Sequence, residues 1–249
     1  MLQTASPPSP QKRILAPDFF SNLKNPIDFY IIRHGESEGN AAKIMQGRFE
    51  YPLSKTGRLQ SVARGRELKS DLADTAPGKT LLFSSPQGRA METAFIIAEE
   101  NRLPDPIAID DLMEMSLGIW TGKTWDEAKN GDQYLWAAFM ARSWDAIPEA
   151  ESSSDLYKRA LRLWAALRDA AIETNAEKII AVTHGGLIQW LLKSTFQCHR
   201  WFPLFPISNC GLFKLCVIPR INEQSAWLCW EEIDSHIQNQ DNGPRGFPS

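Results

Sequence analysis

A chain of 249 residues can bury one sizeable α/β core with room for an insertion, and its content of 43% hydrophobic and 23% charged residues is ordinary for a globular protein. A formal net charge of −3 leaves no global basic field, so neither nucleic acid nor a membrane is expected as a partner and any anion site must be local. No apolar run approaches the ~18 residues of a membrane span, and Pro7, Pro8 and Pro10 interrupt the N-terminus before a signal-type apolar segment forms.

Residues 1–25 are rich in Pro, Ser and Lys and read as a disordered arm; residues 236–249 are rich in Gln, Asn, Gly and Pro and read as a disordered tail. The folded domain is expected over 26–235. Cys198, Cys210, Cys216 and Cys229 form no Cys-x-x-Cys pair, and three of them lie in apolar stretches. A reduced, cytoplasmic protein is the expectation, with an inter-strand disulfide left open.

The first element is the run Phe29-Tyr30-Ile31-Ile32, bounded by Pro26 and ending in Arg33-His34-Gly35. A short β-branched and aromatic run of this kind is a buried strand. Ligands in open α/β sheets bind beyond the carboxyl ends of strands, where Arg33 and His34 would sit. Gly47 and Pro52 mark a loop, and Ser54 is a good N-cap for a helix to about Leu72. On that helix Leu59, Val62, Ala63, Arg66 and Leu68 suggest a partly apolar face, while the charges of Arg58, Arg64 and Arg66 read as solvated.

Thr80-Leu81-Leu82-Phe83 is a second strand, running into Ser84-Ser85-Pro86 and a helix to about Glu100. Ser85 is expected to cap this helix with Pro86 as its first residue. Arg89 in the first turn opposes the helix dipole, an arrangement that a bound anion would compensate. Ile107-Ala108-Ile109 is a third strand, followed by Glu114 between apolar neighbours, where desolvation would suit a general acid.

Residues 124–145 read as helical and carry Trp125, Trp136, Phe139 and Trp144, the body of a cap expected over about 120–151. No basic cluster accompanies these rings, so packing is favoured over base stacking. Ser152 opens a long helix to about Glu173, and Lys178–Val182 forms the fourth strand, ending in Thr183-His184-Gly185-Gly186 before another helix. Leu212–Ile218 and Ala226–Trp230 read as a final antiparallel pair, whose outer edge could pair with a second subunit in a homodimer.

The expected fold class is therefore α/β: a three-layer sandwich with a mostly parallel central sheet, helices on both faces and a helical cap insertion. Parallel strands with helical crossovers bring Arg33, His34, Arg89 and His184 to one edge, with Glu114 nearby. Two guanidinium forks suit phosphate oxygens, one imidazole can be a nucleophile, and the carboxyl can move a proton. His34, His184 and Glu114 could in principle bind zinc, but two adjacent arginines would repel it, so no metal and no cofactor are expected.

Arg33-His34-Gly35-Glu36-Ser37 with Asn40, Ser85-Pro86-x-x-Arg89-Ala90-x-x-Thr93, Glu114 and Thr183-His184-Gly185-Gly186 together resemble the histidine phosphatase superfamily, the phosphoglycerate-mutase-like family. The resemblance covers about residues 27–230. It implies His34 as phosphoacceptor, Glu114 as proton donor, and Arg33, Arg89, His184 and Gly185 as the phosphate pocket with Asn40 at its rim. Gln46 and Gly47 match the family's Gln-Gly loop, where substrate contacts are common; Arg48 beside them could meet a second anionic group or simply be solvated. The run after Glu114, with Gly118, Trp120 and Gly122, resembles the phosphatase pattern more than the Arg-His-Tyr-Gly typical of mutases. The implied activity is metal-independent hydrolysis of a small-molecule phosphomonoester through a phosphohistidine. A cofactor-dependent phosphoglycerate mutase, a phosphoprotein phosphatase docking through the N-terminal arm, and a scaffold remain as alternatives.

Overall fold

The computed structural model describes residues 19–220 and 225–233. One six-stranded sheet carries the fold, in the spatial order β3-β2-β4-β1-β5-β6. Its strands are β1 (Ile27–Arg33), β2 (Thr80–Ser84), β3 (Ile107–Ala108), β4 (Lys178–Thr183), β5 (Leu212–Arg220) and β6 (Ser225–Ile233). The first four are mutually parallel; β5 runs antiparallel to β1 and to β6. The α-helices are α1 (Glu38–Ala41), α2 (Lys55–Ala73), α3 (Gly88–Asn101), α4 (Trp125–Gly131), α5 (Gln133–Arg142), α6 (Ser153–Thr174) and α7 (Gly185–Thr195).

The alternation along β1 sorts the helices into two layers. Phe29 and Ile31 belong to a core with Leu163, Trp164 and Leu167 of α6 and Leu187 and Trp190 of α7. Tyr30 and Ile32 point the other way, onto Leu68 of α2 and Ala90, Ala94 and Ile97 of α3. Because both faces are covered, β1 reads as a continuous apolar run rather than an alternating one. The cap is α4, α5 and a 3₁₀ turn at Ser143–Ala146. Trp120, Trp136, Phe139 and Trp144 meet there with ring centroids 4.9–5.9 Å from Trp120, and the cluster is continuous with the α6–α7 core.

Register places the chemistry. Arg33 pairs with Thr183 and Ser84 with Val182, so His34, His184 and Ser85 are the next residues beyond the ends of three adjacent strands. His34 N–H donates to Thr183 O at 2.9 Å and Ser85 N–H to Val182 O at 2.9 Å, which carries the pairing past the strand ends. Gly35 lets α2 approach this edge: a Cβ there would lie 2.5 Å from Gly57 O.

Four expectations are corrected. Phe19, Phe20 and Leu23 are buried, and Phe20 meets Phe29 and Trp164, so residues 19–25 belong to the core and not to an arm. Two adjacent aromatics outweigh a Pro- and Ser-rich neighbourhood once a groove receives them. The remainder of the arm and the tail from 236 lie outside the described residues. Arg64, read as solvated, is fully buried: its Nε donates to Cys210 O at 2.8 Å and Nη1 pairs with Glu67 at 2.7 Å. Leu59, read as apolar-facing, is 64% exposed, because α2 turns Gly57, Gln60, Ser61 and Arg64 inward. Ser85 does not cap α3; Gln87 holds the N-cap position and the helix starts at Gly88, leaving the Ser85 side chain to the site. All four cysteines are free thiols, although Cys216 and Cys229 face each other across β5 and β6.

Candidate active site

His34 is buried at the end of β1. Its Nδ1 lies 2.6 Å from Gly35 O. A carbonyl only accepts, so Nδ1 carries the proton and the Nε2 lone pair is left for chemistry. Arg89 Nε approaches that Nε2 at 3.3 Å. Burial, then the charge of Arg33, then that of Arg89 hold the imidazole well below its usual value of 6.5.

Arg89, in the first turn of α3, is 1% exposed. Its Nη1 donates to Phe49 O and its Nη2 to Gly47 O, each at 2.8 Å, so the loop after Gln46 fixes the guanidinium plane. Arg33 Nη1 donates to Ile207 O at 2.8 Å, while its Nε is buried without a partner. His184 Nε2 lies 2.9 Å from Ser85 Oγ. That hydroxyl accepts from Gln87 N–H at 3.2 Å and keeps a proton it can give to Nε2; with Nε2 as acceptor, the imidazole proton sits on Nδ1. His184 Nδ1 is buried and unpartnered. Burial first, then His34 and the arginines, hold His184 well below the usual imidazole range. The ring centroids of His34 and His184 are 5.0 Å apart. Two buried nitrogens without protein partners, Arg33 Nε and His184 Nδ1, beside the His34 Nε2 lone pair that Arg89 reaches suit a tetrahedral oxyanion.

Glu114 reaches the same edge from the loop after β3. Its Oε1 accepts from Met115 N–H at 2.8 Å and its Oε2 from Gly186 N–H, in the first turn of α7, at 3.2 Å. A Cβ on Gly186 would stand 2.5 Å from Oε1, so glycine is what lets the carboxyl sit there. A Cβ on Gly185 would lie 3.4 Å from Arg33 Nε, in ordinary contact with the guanidinium.

Five residues singled out from the sequence, Arg33, His34, Arg89, Glu114 and His184, are therefore drawn together. Others take supporting places. Asn40 closes a capping box on Ser37 at the start of α1. Gln46 is buried with its Oε1 2.8 Å from Ser37 Oγ, which makes it a strut of the loop. Gly47, at φ +50°, contributes its carbonyl to Arg89. Gln87, not recognised from the sequence, ties the parts together: its Oε1 accepts from Glu114 N–H at 2.7 Å and its Nε2 donates to Gly47 O at 3.2 Å. Nothing in a Pro-Gln-Gly turn announces that role. Among the described residues there is no cluster of three or more His, Cys, Asp or Glu side chains placed to hold a metal ion.

A metal-independent phosphoserine phosphatase from Arabidopsis thaliana is 32% identical over 163 residues, covering 65% of this chain and 66% of that relative's length. Phosphoglycerate mutase-like protein 4 of the same plant is 31% identical over 190 residues, covering 76% of this chain and 79% of the relative. The mycobacterial glucosyl-3-phosphoglycerate phosphatase, solved with VO3, matches at a TM-score of 0.65 and 26% identity, covering 84% of this chain and all of that one at 100%. The sequence model described as histidine phosphatase superfamily (branch 1) matches residues 29–228, nearly the whole described fold. This chain belongs to the histidine phosphatase superfamily, branch 1.

Proposed function

We propose that the protein hydrolyses a small phosphomonoester through a phosphohistidine on His34. The observation that carries the reading is the fixed tautomer of His34, with Nδ1–H on Gly35 O and an unprotonated Nε2 whose lone pair accepts from Arg89 Nε at 3.3 Å. In the first step the Nε2 lone pair bonds to phosphorus and the ester P–O bond breaks. Glu114 gives a proton to the departing oxygen. In the second step water attacks the phosphohistidine, Glu114 takes its proton, and His34 leaves as the neutral imidazole. Arg33, Arg89 and His184 hold the three equatorial oxygens in both steps; the two arginines supply the positive charge that the transition state needs and the neutral His184 adds a hydrogen bond, so the chain's own groups do what a metal would otherwise do.

The substrate is proposed to carry a second anionic group. Arg48 stands at the mouth with a side chain 48% exposed, its Nε 3.3 Å from Glu114 O. Its partner Glu151 already has a full guanidinium partner in Arg159, so Arg48 brings a cation that Glu151 alone does not neutralise. Phosphoserine and glucosyl-3-phosphoglycerate, the esters in the names of two similar proteins, both carry a carboxylate beside the phosphate. Hydrolysis is favoured over phosphoryl transfer between sugar-acid hydroxyls by the Glu114-to-Gly122 run, in which Gly118 at φ +56° and Gly122 at φ +84° turn the chain directly into a compact cap.

The test is phosphate release from a panel of phosphomonoesters in metal-free buffer, with His34→Ala as control. Release that requires His34 and prefers carboxylate-bearing esters is expected. Interconversion of 2- and 3-phosphoglycerate without release would replace hydrolysis by mutase activity.

A further inference from the structure

Glu114 lies on a loop whose regular structure is a single 3₁₀ turn at Asp110–Leu112 and a second at Gly118–Trp120. A proton donor must be held to within a fraction of an ångström, so something other than secondary structure must fix it. One buried guanidinium supplies much of the answer. Arg159 projects from α6, is 4% exposed, and spends its donors on the loop backbone and on Glu151. Its Nη1 donates to Met113 O at 2.6 Å and to Asp111 O at 3.3 Å, immediately before Glu114. Its other edge meets Glu151: Nη2 donates to Oε2 at 2.8 Å, and Nε stands 2.8 Å from Oε1 as an ion pair without hydrogen-bond alignment. Glu151 then grips the loop on the far side of Glu114, with its N–H donating to Ser116 O at 3.0 Å and its Oε2 accepting from Ser116 N–H at 3.4 Å. The pair thus brackets Glu114, on Asp111 and Met113 before it and on Ser116 after it.

Burying a charge pair is costly, and packing alone would be served as well by apolar residues of the same size. A guanidinium that donates to two backbone carbonyls and one carboxylate oxygen in fixed directions does what an apolar pair cannot: it fixes orientation. We infer that the Arg159–Glu151 pair is a positioning device for the proton transfer, holding Glu114 in line with the leaving oxygen while touching neither the ester nor the phosphate pocket. The inference rests on the hydrolysis reading above.

The experiment compares Arg159→Lys with the wild-type chain on two esters in metal-free buffer. One is p-nitrophenyl phosphate, whose leaving group needs little protonation; the other is an alkyl phosphate, whose leaving group needs it fully. Expected is a loss in kcat/KM of roughly 30-fold on the alkyl ester against about threefold or less on the aryl ester. Inhibition by vanadate, which reads the His34 pocket, should stay within about twofold. In a Glu114→Gln background the same substitution should cost nothing further on the alkyl ester, because the group it positions is already gone. Equal losses on both esters, or the full loss repeated in the Glu114→Gln background, would overturn the role and leave a purely structural pair. Should Arg159→Lys not fold, Glu151→Gln carries the same comparison from the other partner. A wild-type chain silent on both esters overturns hydrolysis itself, whereas an active enzyme without the selective loss overturns only the positioning.

Discussion

At the scale of single residues, the site works by setting protonation states through burial and charge. His34 and His184 are both buried beside cations, and both are held well below the usual imidazole value of 6.5. Between that value and their folded-state values the unfolded chain binds protons that the folded chain does not, so stability falls as the pH drops through 6.5. His184→Gln is expected to flatten the fall in melting temperature between about pH 7 and pH 5 relative to the wild-type chain, by this linkage; an unchanged slope would contradict it. The same depression keeps the His34 lone pair available in mild acid, so the acid limb of kcat/KM is expected below pH 6.5, read from a pH profile with an ester of constant ionisation. His34→Ala should remove turnover by about 10⁴-fold or more, the usual cost of deleting a covalent nucleophile. Arg48→Ala should raise KM roughly tenfold for esters bearing a carboxylate and leave it nearly unchanged for an alkyl phosphate with no second charged group, the loss of one charge-assisted contact.

At the scale of elements, α2 is the instructive case. Its apolar residues follow no clean helical stripe, and its inward face is built of Gly57, Gln60, Ser61, Arg64, Gly65 and Leu68. Two features of the fold require that face. Glycine at 57 gives a place where a Cβ would overlap the carbonyl of Glu36, so the helix can press on the turn that follows His34. Arg64 then reaches Cys210 O, behind the strand edge. Arg64→Met leaves a buried carbonyl without its donor and should cost roughly 2–3 kcal/mol, a fall in melting temperature of about 5–10 °C for a domain of this size. Arg66→Ala, at an exposed ion pair of the same helix, should shift it by no more than about 1–2 °C. Similar falls for both variants would show that Arg64 is no more than a surface charge. A lone helix gives no hint of this contrast, because 3.6-residue periodicity reports apolar faces and is blind to a face that buries small and polar groups.

At the scale of the whole molecule, the parallel sheet gathers groups that lie far apart in the chain. His34, Ser85 and His184 become neighbours because β1, β2 and β4 are adjacent and in register at their carboxyl ends. The core reaches further toward the N-terminus than composition suggests: truncation after Asn25 removes Phe19, Phe20 and Leu23 and should lower stability by several kcal/mol, on the order of 1.5–3 for each buried side chain, relative to truncation just before Phe19. Equal melting curves for the two truncations would dispose of that packing. What the sequence determined by itself was the order of strands and helices and the residues that meet at the strand ends, because buried strands announce themselves by β-branched and aromatic runs and the motifs sit directly after them. Tertiary structure alone decided the rest. Arg64 and Arg159 look like any helix-surface arginine until a carbonyl from a distant segment meets the fork, and Gln87 becomes a tie between Glu114 and Gly47 only once α3 and two loops are packed. Hydrogen bonds between segments far apart in the chain leave no local pattern, so the groups that would perform the chemistry could be read from the chain, while those that hold them in place could not.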